Sequence, residues 1–198
     1  MDRTAFVVTA LPPPPARVLE IGCGRGELAR ALDAAGYDVL AIDPQAPEGP
    51  IFRRSTIEQL HSSAAFDAVV AAYVLHHVES LDAALDRVVA LLEPEGRLVV
   101  EELGWDLADD ATLEWYARHG GAADLDAARA EWHAEHAGLH GYSAMRAALD
   151  ARFVERSFER QPYFCRSLHR EDLETSEREA IAGGEIRALG FRYVGAPR

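Results

Sequence analysis

Apolar positions in the first hundred residues fall alternately into short unbroken runs and helical stripes. Val18-Leu19-Glu20-Ile21 reads as a buried strand that ends beside an acid. Behind a glycine loop, Leu28, Ala31, Leu32 and Ala35 recur at helical spacing, and Gly36 stops the helix. Tyr37 to Asp43 alternates into a second strand with an acid at its tip, and Phe66 to Ala72 forms another buried run. Ser80 caps a helix whose apolar face is Leu81, Ala84, Leu85, Val88, Leu91 and Leu92. Pro94-Glu95-Gly96 ends that helix, and Arg97 to Leu103 is the next strand. Strands alternating with helices of this length predict an α/β, doubly wound and mostly parallel sheet.

Beyond Leu103 the pattern loosens. Residues 104–141 read as an insertion of two helices. Asp109 and Asp110 start the first, Gly120-Gly121 breaks it, and Leu125, Ala128 and Trp132 face inward on the second. Tyr142, Met145, Ala148 and Leu149 mark a helix leading into a half-exposed strand from Phe153 to Glu159. A charged helix then contains Leu173 to Leu189, and Gly190 to Gly195 forms the last strand.

The candidate chemistry lies in Glu20-Ile21-Gly22-Cys23-Gly24-Arg25-Gly26-Glu27. Glycines at alternate positions turn the chain tightly and let a flat ligand approach bare peptide groups. Strand, loop and helix together form a nucleotide-binding crevice. A dinucleotide site needs Gly or Ala where this chain has Glu27, and a carboxylate there repels a pyrophosphate. A cationic cofactor without phosphate meets no such penalty. The E-x-G-x-G-x-G run, followed in order by Phe66-Asp67, Leu75-His76-His77, Pro94 and Arg97-Leu98-Val99-Val100-Glu101, resembles the class I S-adenosyl-L-methionine (SAM)-dependent methyltransferases, of small-molecule type, across Val18 to Leu103.

That resemblance implies a seven-stranded sheet with an antiparallel C-terminal strand, SAM as cofactor and S-adenosyl-L-homocysteine as product. It places the cofactor against Glu20, Gly22, Cys23, Gly24, Asp43, Pro44, Thr56, Ile57, Ala72 and His77. Asp43 accepts the ribose hydroxyls, Pro44 covers one face of the adenine, and His77 shapes the methyl end. Thr56 stands where the family commonly has an aspartate beside the adenine amino group. The segment before the four prolines, Pro12 to Pro15, is expected to hold one turn of helix, short of the family's usual N-terminal cover.

The insertion, residues 104–141 of a single 1–198 domain, is therefore read as a helical lid that replaces this cover and forms the acceptor pocket. It holds all three tryptophans and four of the eight histidines, and from Asp106 to Glu135 has eight acids against Arg118 and Arg129. Trp105, Trp115, Tyr116, His119 and Trp132, with Tyr163 from the last third, are the candidate acceptor contacts. His133, His136 and His140 share one face of a continuous helix, although Gly138 interrupts it and no fourth metal ligand is evident. No metal is expected, and His136 or His140 is the candidate general base.

Composition removes other classes. All 20 basic residues are arginine, which excludes Schiff-base and phosphate-loop lysine chemistry. A net charge of −13 without a basic stripe argues against nucleic acid as partner. Two cysteines, Cys23 and Cys165, make neither a disulfide framework nor a metal site, and no internal repeat is recognised. With no apolar run long enough to span a bilayer and no signal-peptide layout, a cytoplasmic enzyme without membrane partners is expected. The acidic insertion favours a neutral or cationic acceptor methylated on O or N. The alternatives are an inactive SAM-binding module acting as a partner subunit, and an NAD-dependent oxidoreductase.

Overall fold

A computed structural model describes residues 2–62 and 65–198. The chain forms two compact units. The first comprises Met1–Glu102, Met145–Phe158 and Arg192–Arg198, and the second Leu103–Ala144 and Glu159–Phe191. The 104–141 insertion thus packs together with residues from the last third of the chain.

The elements run α1 (Arg3–Ala10), β1 (Arg17–Ile21), α2 (Glu27–Ala34), β2 (Asp38–Asp43), β3 (Phe52–Arg54), β4 (Phe66–Ala72), α3 (Leu81–Leu91) and β5 (Leu92–Leu103). They continue as α4 (Asp110–Arg118), α5 (Leu125–Glu135), α6 (Tyr142–Arg152), β6 (Phe153–Gln161), α7 (Phe164–Ser167), α8 (Glu174–Ala182) and β7 (Gly190–Pro197). The strands form one seven-stranded mixed sheet in the order β3-β2-β1-β4-β5-β7-β6, with the C-terminal strands antiparallel.

β1 lies parallel to both β2 and β4, Glu20 opposite Ala41 on one side and Val70 on the other. Consecutive elements β1 and β2 thus lead to one edge, and β4 and β5 to the other. The carboxyl ends of β1 and β4 flank the switch point where such sheets bind ligands. β1 and β4 are buried on both faces, which explains their unbroken apolar runs. Helix starts follow side-chain caps: Ser80 accepts from the Ala83 N–H, Asp109 from Thr112 and Asp124 from Ala127.

Four local expectations change. α1 runs for eight residues rather than one turn, because Asp2 caps it by accepting from the Ala5 N–H at 2.8 Å. α3 stops at Leu91 and β5 begins at Leu92, ahead of Pro94, since Leu92 already pairs with Phe66 across a bulge. α8 ends at Ala182 instead of reaching Leu189, because Gly183-Gly184 follows and Gly184 adopts φ +73°. α5 ends at Glu135, with His136 as its C-cap and Gly138 turned to φ +83°, so His133, His136 and His140 do not share a helical face.

A repeat is also present that the composition did not reveal. Glu114-Trp115-Tyr116-Ala117-Arg118-His119 and Glu131-Trp132-His133-Ala134-Glu135-His136 recur seventeen positions apart, as the ends of α4 and α5.

Candidate active site

At the switch point a cavity of about 560 Å³ is lined by residues that include Ile21, Gly22, Ile42, Asp43, Pro44, Thr56, Ile57, Tyr73, Val74 and His77. Its walls join an apolar slot to a few polar groups, as small-molecule sites generally do. The glycine loop fits this purpose locally. Gly22 has φ +72°, and a Cβ there would stand 2.5 Å from Val74 Cγ2, so only glycine lets the two loops meet. Gly24, at φ +51°, has open space where its Cβ would be.

Asp43, at the tip of β2, is held before any ligand arrives. Its Oδ2 accepts from the Gly24 N–H at 3.1 Å and its Oδ1 from the Gln45 N–H at 2.7 Å. Each oxygen keeps a second lone pair, so the carboxylate can still accept a pair of hydroxyls. Thr56 lines the cavity, and its hydroxyl accepts from the Gln59 N–H at 3.3 Å.

Behind the loop, Glu20 is 4 % exposed. Burial drives its pKa up to about 7, opposed by the charge of Arg3 and the Ala29 N–H, and helped by the charges of Asp43 and Glu27. Burial, with the charges of Glu20 and Asp43, pushes the Cys23 thiol up to about 12. A thiol that stays protonated is no nucleophile, so Cys23 serves as a small loop residue.

The far wall rests on two acids at the end of β5. Neighbours on a strand point to opposite faces, and here both acids are buried. Glu102 accepts from the Val74 N–H at 2.7 Å and the Leu75 N–H at 2.6 Å, and meets His76 Nδ1 at 2.6 Å. One carboxylate thus ties the Val74–Leu75 backbone and the His76 ring together. Glu101 faces the other way and accepts from Arg3 at 2.8 Å and from Arg192 at 2.8 and 3.1 Å. Between them Tyr73 holds φ +54°, uncommon for a residue with a side chain, its N–H donating to the Glu101 carbonyl.

Of the residues expected to hold the cofactor, the structure brings Gly22, Asp43, Pro44, Thr56, Ile57 and His77 to one cavity. Glu20, Cys23, Gly24 and Ala72 adjoin it in the chain without lining it. Tyr73, Val74, Arg3 and Glu102 were not singled out from sequence, and Glu101 was read only as the end of a strand motif. The partners of Glu101 lie 98 and 91 residues away, so no local pattern marks them.

The second unit gathers the aromatic residues. Trp115 and Trp132 are buried and pack with Tyr116 and Phe164, while Trp105, Tyr116, His119 and Tyr163 are half-buried. His119 Nδ1 lies 2.7 Å from the Trp115 carbonyl and His136 Nδ1 2.7 Å from the Trp132 carbonyl. In both repeats the histidine closes its helix by donating to the carbonyl four residues back. The His136 ring is buried and stacks on Trp105 at 5.7 Å. His140 lies beyond the helix, half-buried. Among the described residues no His, Cys, Asp and Glu cluster has metal-binding geometry, and no helix is long and apolar enough to cross a membrane.

A doubly wound sheet with antiparallel C-terminal strands and a glycine loop at the switch point is the class I methyltransferase architecture. Residues 2–159 match the family described as a methyltransferase domain, and the chain belongs to that family. This bears out the resemblance read from the ordered motifs.

Among curated proteins the chain is 36% identical, over 100 residues, to the ubiquinone biosynthesis O-methyltransferase of Rhodopseudomonas palustris (strain HaA2), a match covering 44% of this chain. It spans about 40% of the length of that relative. Among solved structures it is similar to a SAM-dependent methyltransferase from Mesorhizobium loti, with a TM-score of 0.63, 17% identity, and 98% of this chain and 96% of that one covered. It is also similar to the 1,6-didemethyltoxoflavin-N1-methyltransferase of Burkholderia thailandensis, solved with its acceptor and S-adenosylhomocysteine. There the TM-score is 0.60 and the identity 20%, covering 98% of this chain and 76% of that one.

Proposed function

We propose that the chain is a SAM-dependent methyltransferase acting on an O or N atom of a small, neutral or cationic acceptor. The observation that carries this reading is the cavity at the switch point, with Asp43 already held at the β2 tip and an acid, Glu27, opening α2. A first-turn carboxylate opposes a pyrophosphate and tolerates a sulfonium. Bound SAM supplies a methyl group on sulfur with a neutral thioether as leaving group.

The chain's own residues bind and orient. Asp43 would take the ribose hydroxyls, Pro44 and Ile57 would cover the adenine beside Thr56, and His77 would shape the methyl end. In-line transfer gains mainly from orientation and exclusion of water, so no covalent intermediate is required. Where the acceptor is a hydroxyl, a base must remove its proton. His140 is the better placed of the two candidates, because the His136 ring is committed to the Trp105 stack and the end of α5. Trp105, Tyr116, His119 and Tyr163, the half-buried rings of the second unit, are the acceptor contacts this reading favours over the buried Trp115 and Trp132. The acidic composition of residues 106–135 supports a neutral or cationic acceptor and disfavours nucleic acid.

Calorimetric titration with S-adenosyl-L-homocysteine, with NADH as control, tests the cofactor. Micromolar binding of the first alone is expected. Binding of NADH alone refutes the reading.

A further inference from the structure

The second unit contains a cavity of its own, about 510 Å³ in volume. It shares no lining residue with the cavity at the switch point. Its walls come from the chain after β5, the end of β6 and the loop that joins α8 to β7. Leu107, Ile181 and Ile186 supply an apolar surface, and Arg160, Arg187, Asp109 and Glu185 supply charge.

These charges are not equivalent. Asp109 is committed to the fold: its Oδ1 accepts the N–H and the hydroxyl of Thr112 at 3.0 and 2.6 Å, and its Oδ2 accepts from Arg187 Nε at 3.1 Å. Arg187 is anchored a second time, because its backbone N–H donates to Thr112 Oγ1 at 2.9 Å. A guanidinium carries five N–H donors, and the contact with Asp109 uses one of them. The Arg160 guanidinium carbon stands 4.0 Å from the centre of the Tyr142 ring, a stack that uses the face of the group and not its N–H edge. Glu185 is the remaining carboxylate of the wall, and it is exposed to solvent.

Two positioned guanidinium forks suit a planar carboxylate, which accepts paired N–H donors. A dianion such as phosphate meets repulsion from Asp109, Glu185 and a net charge of −13, and a monoanion meets about half of it. The apolar surface favours a ligand whose anion is joined to an apolar body. We propose that this cavity is a second ligand site, which takes a small monocarboxylate with an apolar or aromatic body between Arg160 and Arg187. The acceptor is read above as neutral or cationic, so this ligand is a different molecule, an effector that ties the end of β6 and the 184–188 loop to the start of α4. The site does not depend on the identity of the cofactor.

The probe is phenylacetate, with phenylethanol as its uncharged analogue and inorganic phosphate as the plain anion. Each is titrated into the full chain and followed by two-dimensional amide NMR. Phenylacetate is expected to shift the signals of residues 107–111 and 184–188 and the Nε–H signals of Arg160 and Arg187, saturably, while the glycine loop of the other unit stays in place. The alcohol and phosphate should bind at least about tenfold more weakly, and Arg160→Gln and Arg187→Gln should each weaken phenylacetate on the order of 10–100-fold. Unmoved signals in the rest of each variant's spectrum show that it is folded, and Arg160→Gln leaves the Arg187–Asp109 pair intact. Equal binding of the alcohol removes the role of charge, and equal binding of phosphate removes the apolar body. Either result, undiminished binding in both variants, or no shift with phenylacetate overturns the site.

Discussion

Glu20→Gln tests the electrostatics of the site in the ligand-free protein, because it removes a charge and nearly preserves shape. Burial holds the native carboxyl at a pKa of about 7 against 4.5 for an ordinary glutamate. The folded state therefore binds the extra proton between those values, and stability falls as pH rises through that window. Below about pH 4.5 the group adds no cost. Above pH 7 it is charged in both states, and the desolvation cost is fully present. A shift of about 2.5 units corresponds to about 3 kcal/mol. Arg3 already moderates this cost, while Asp43 and Glu27 add to it. Glutamine has no such slope. Relative to the parent, the variant should be about 3 kcal/mol more stable at pH 8 and nearly equal to it at pH 4.5. Urea titrations followed by far-UV circular dichroism at the two pH values measure the difference. A variant less stable than the parent at pH 8, or a gap independent of pH, refutes the assignment of a desolvated carboxylate at this position.

Three further outcomes follow from the geometry. Gly22→Ala forces a Cβ to 2.5 Å from Val74 at φ +72°, which should cost roughly 2–4 kcal/mol and abolish S-adenosyl-L-homocysteine binding, read by denaturation and calorimetry. Glu177, 1 % exposed, accepts the N–H groups of Tyr163, Phe164 and Cys165 at 2.6 to 2.9 Å. Glu177→Ala strands three donors and should lower stability by about 3–5 kcal/mol, with a clear fall in Tm. His136→Ala should mainly reduce stability, whereas His140→Ala should lower kcat on a hydroxyl acceptor; an unchanged kcat in His140→Ala rejects the base.

Much of the site was legible because its signals are local. The glycine loop, the acid at the β2 tip and the buried strand runs each declare themselves within ten residues. Asp43 could be placed at a sheet end because strand periodicity alone puts it there. The break among the histidines was legible for a local reason too: Gly138 interrupts the helical spacing, and it takes φ +83° just after the helix closes at His136. The wall of the cavity was illegible on different grounds. Nothing local marks the partners of Glu101 and Glu102, and only those long-range partners explain why both are buried. Tyr73 carries a backbone conformation that nothing in its sequence neighbourhood announces.

The strand–helix alternation, the parallel sheet and a ligand crevice at the end of β1 suited to a cofactor without phosphate are all written in the local order of residues. These follow from periodicity and from the steric freedom of glycine, which act over a few residues. Tertiary structure alone decided how the charges are balanced: Arg3 and Arg192 meet on Glu101, Glu102 braces His76, and Glu20 stays buried beside them with one oxygen unmatched. Coulombic and hydrogen-bond partners depend on distance in space, and residues 98 positions apart become neighbours only when the sheet is assembled.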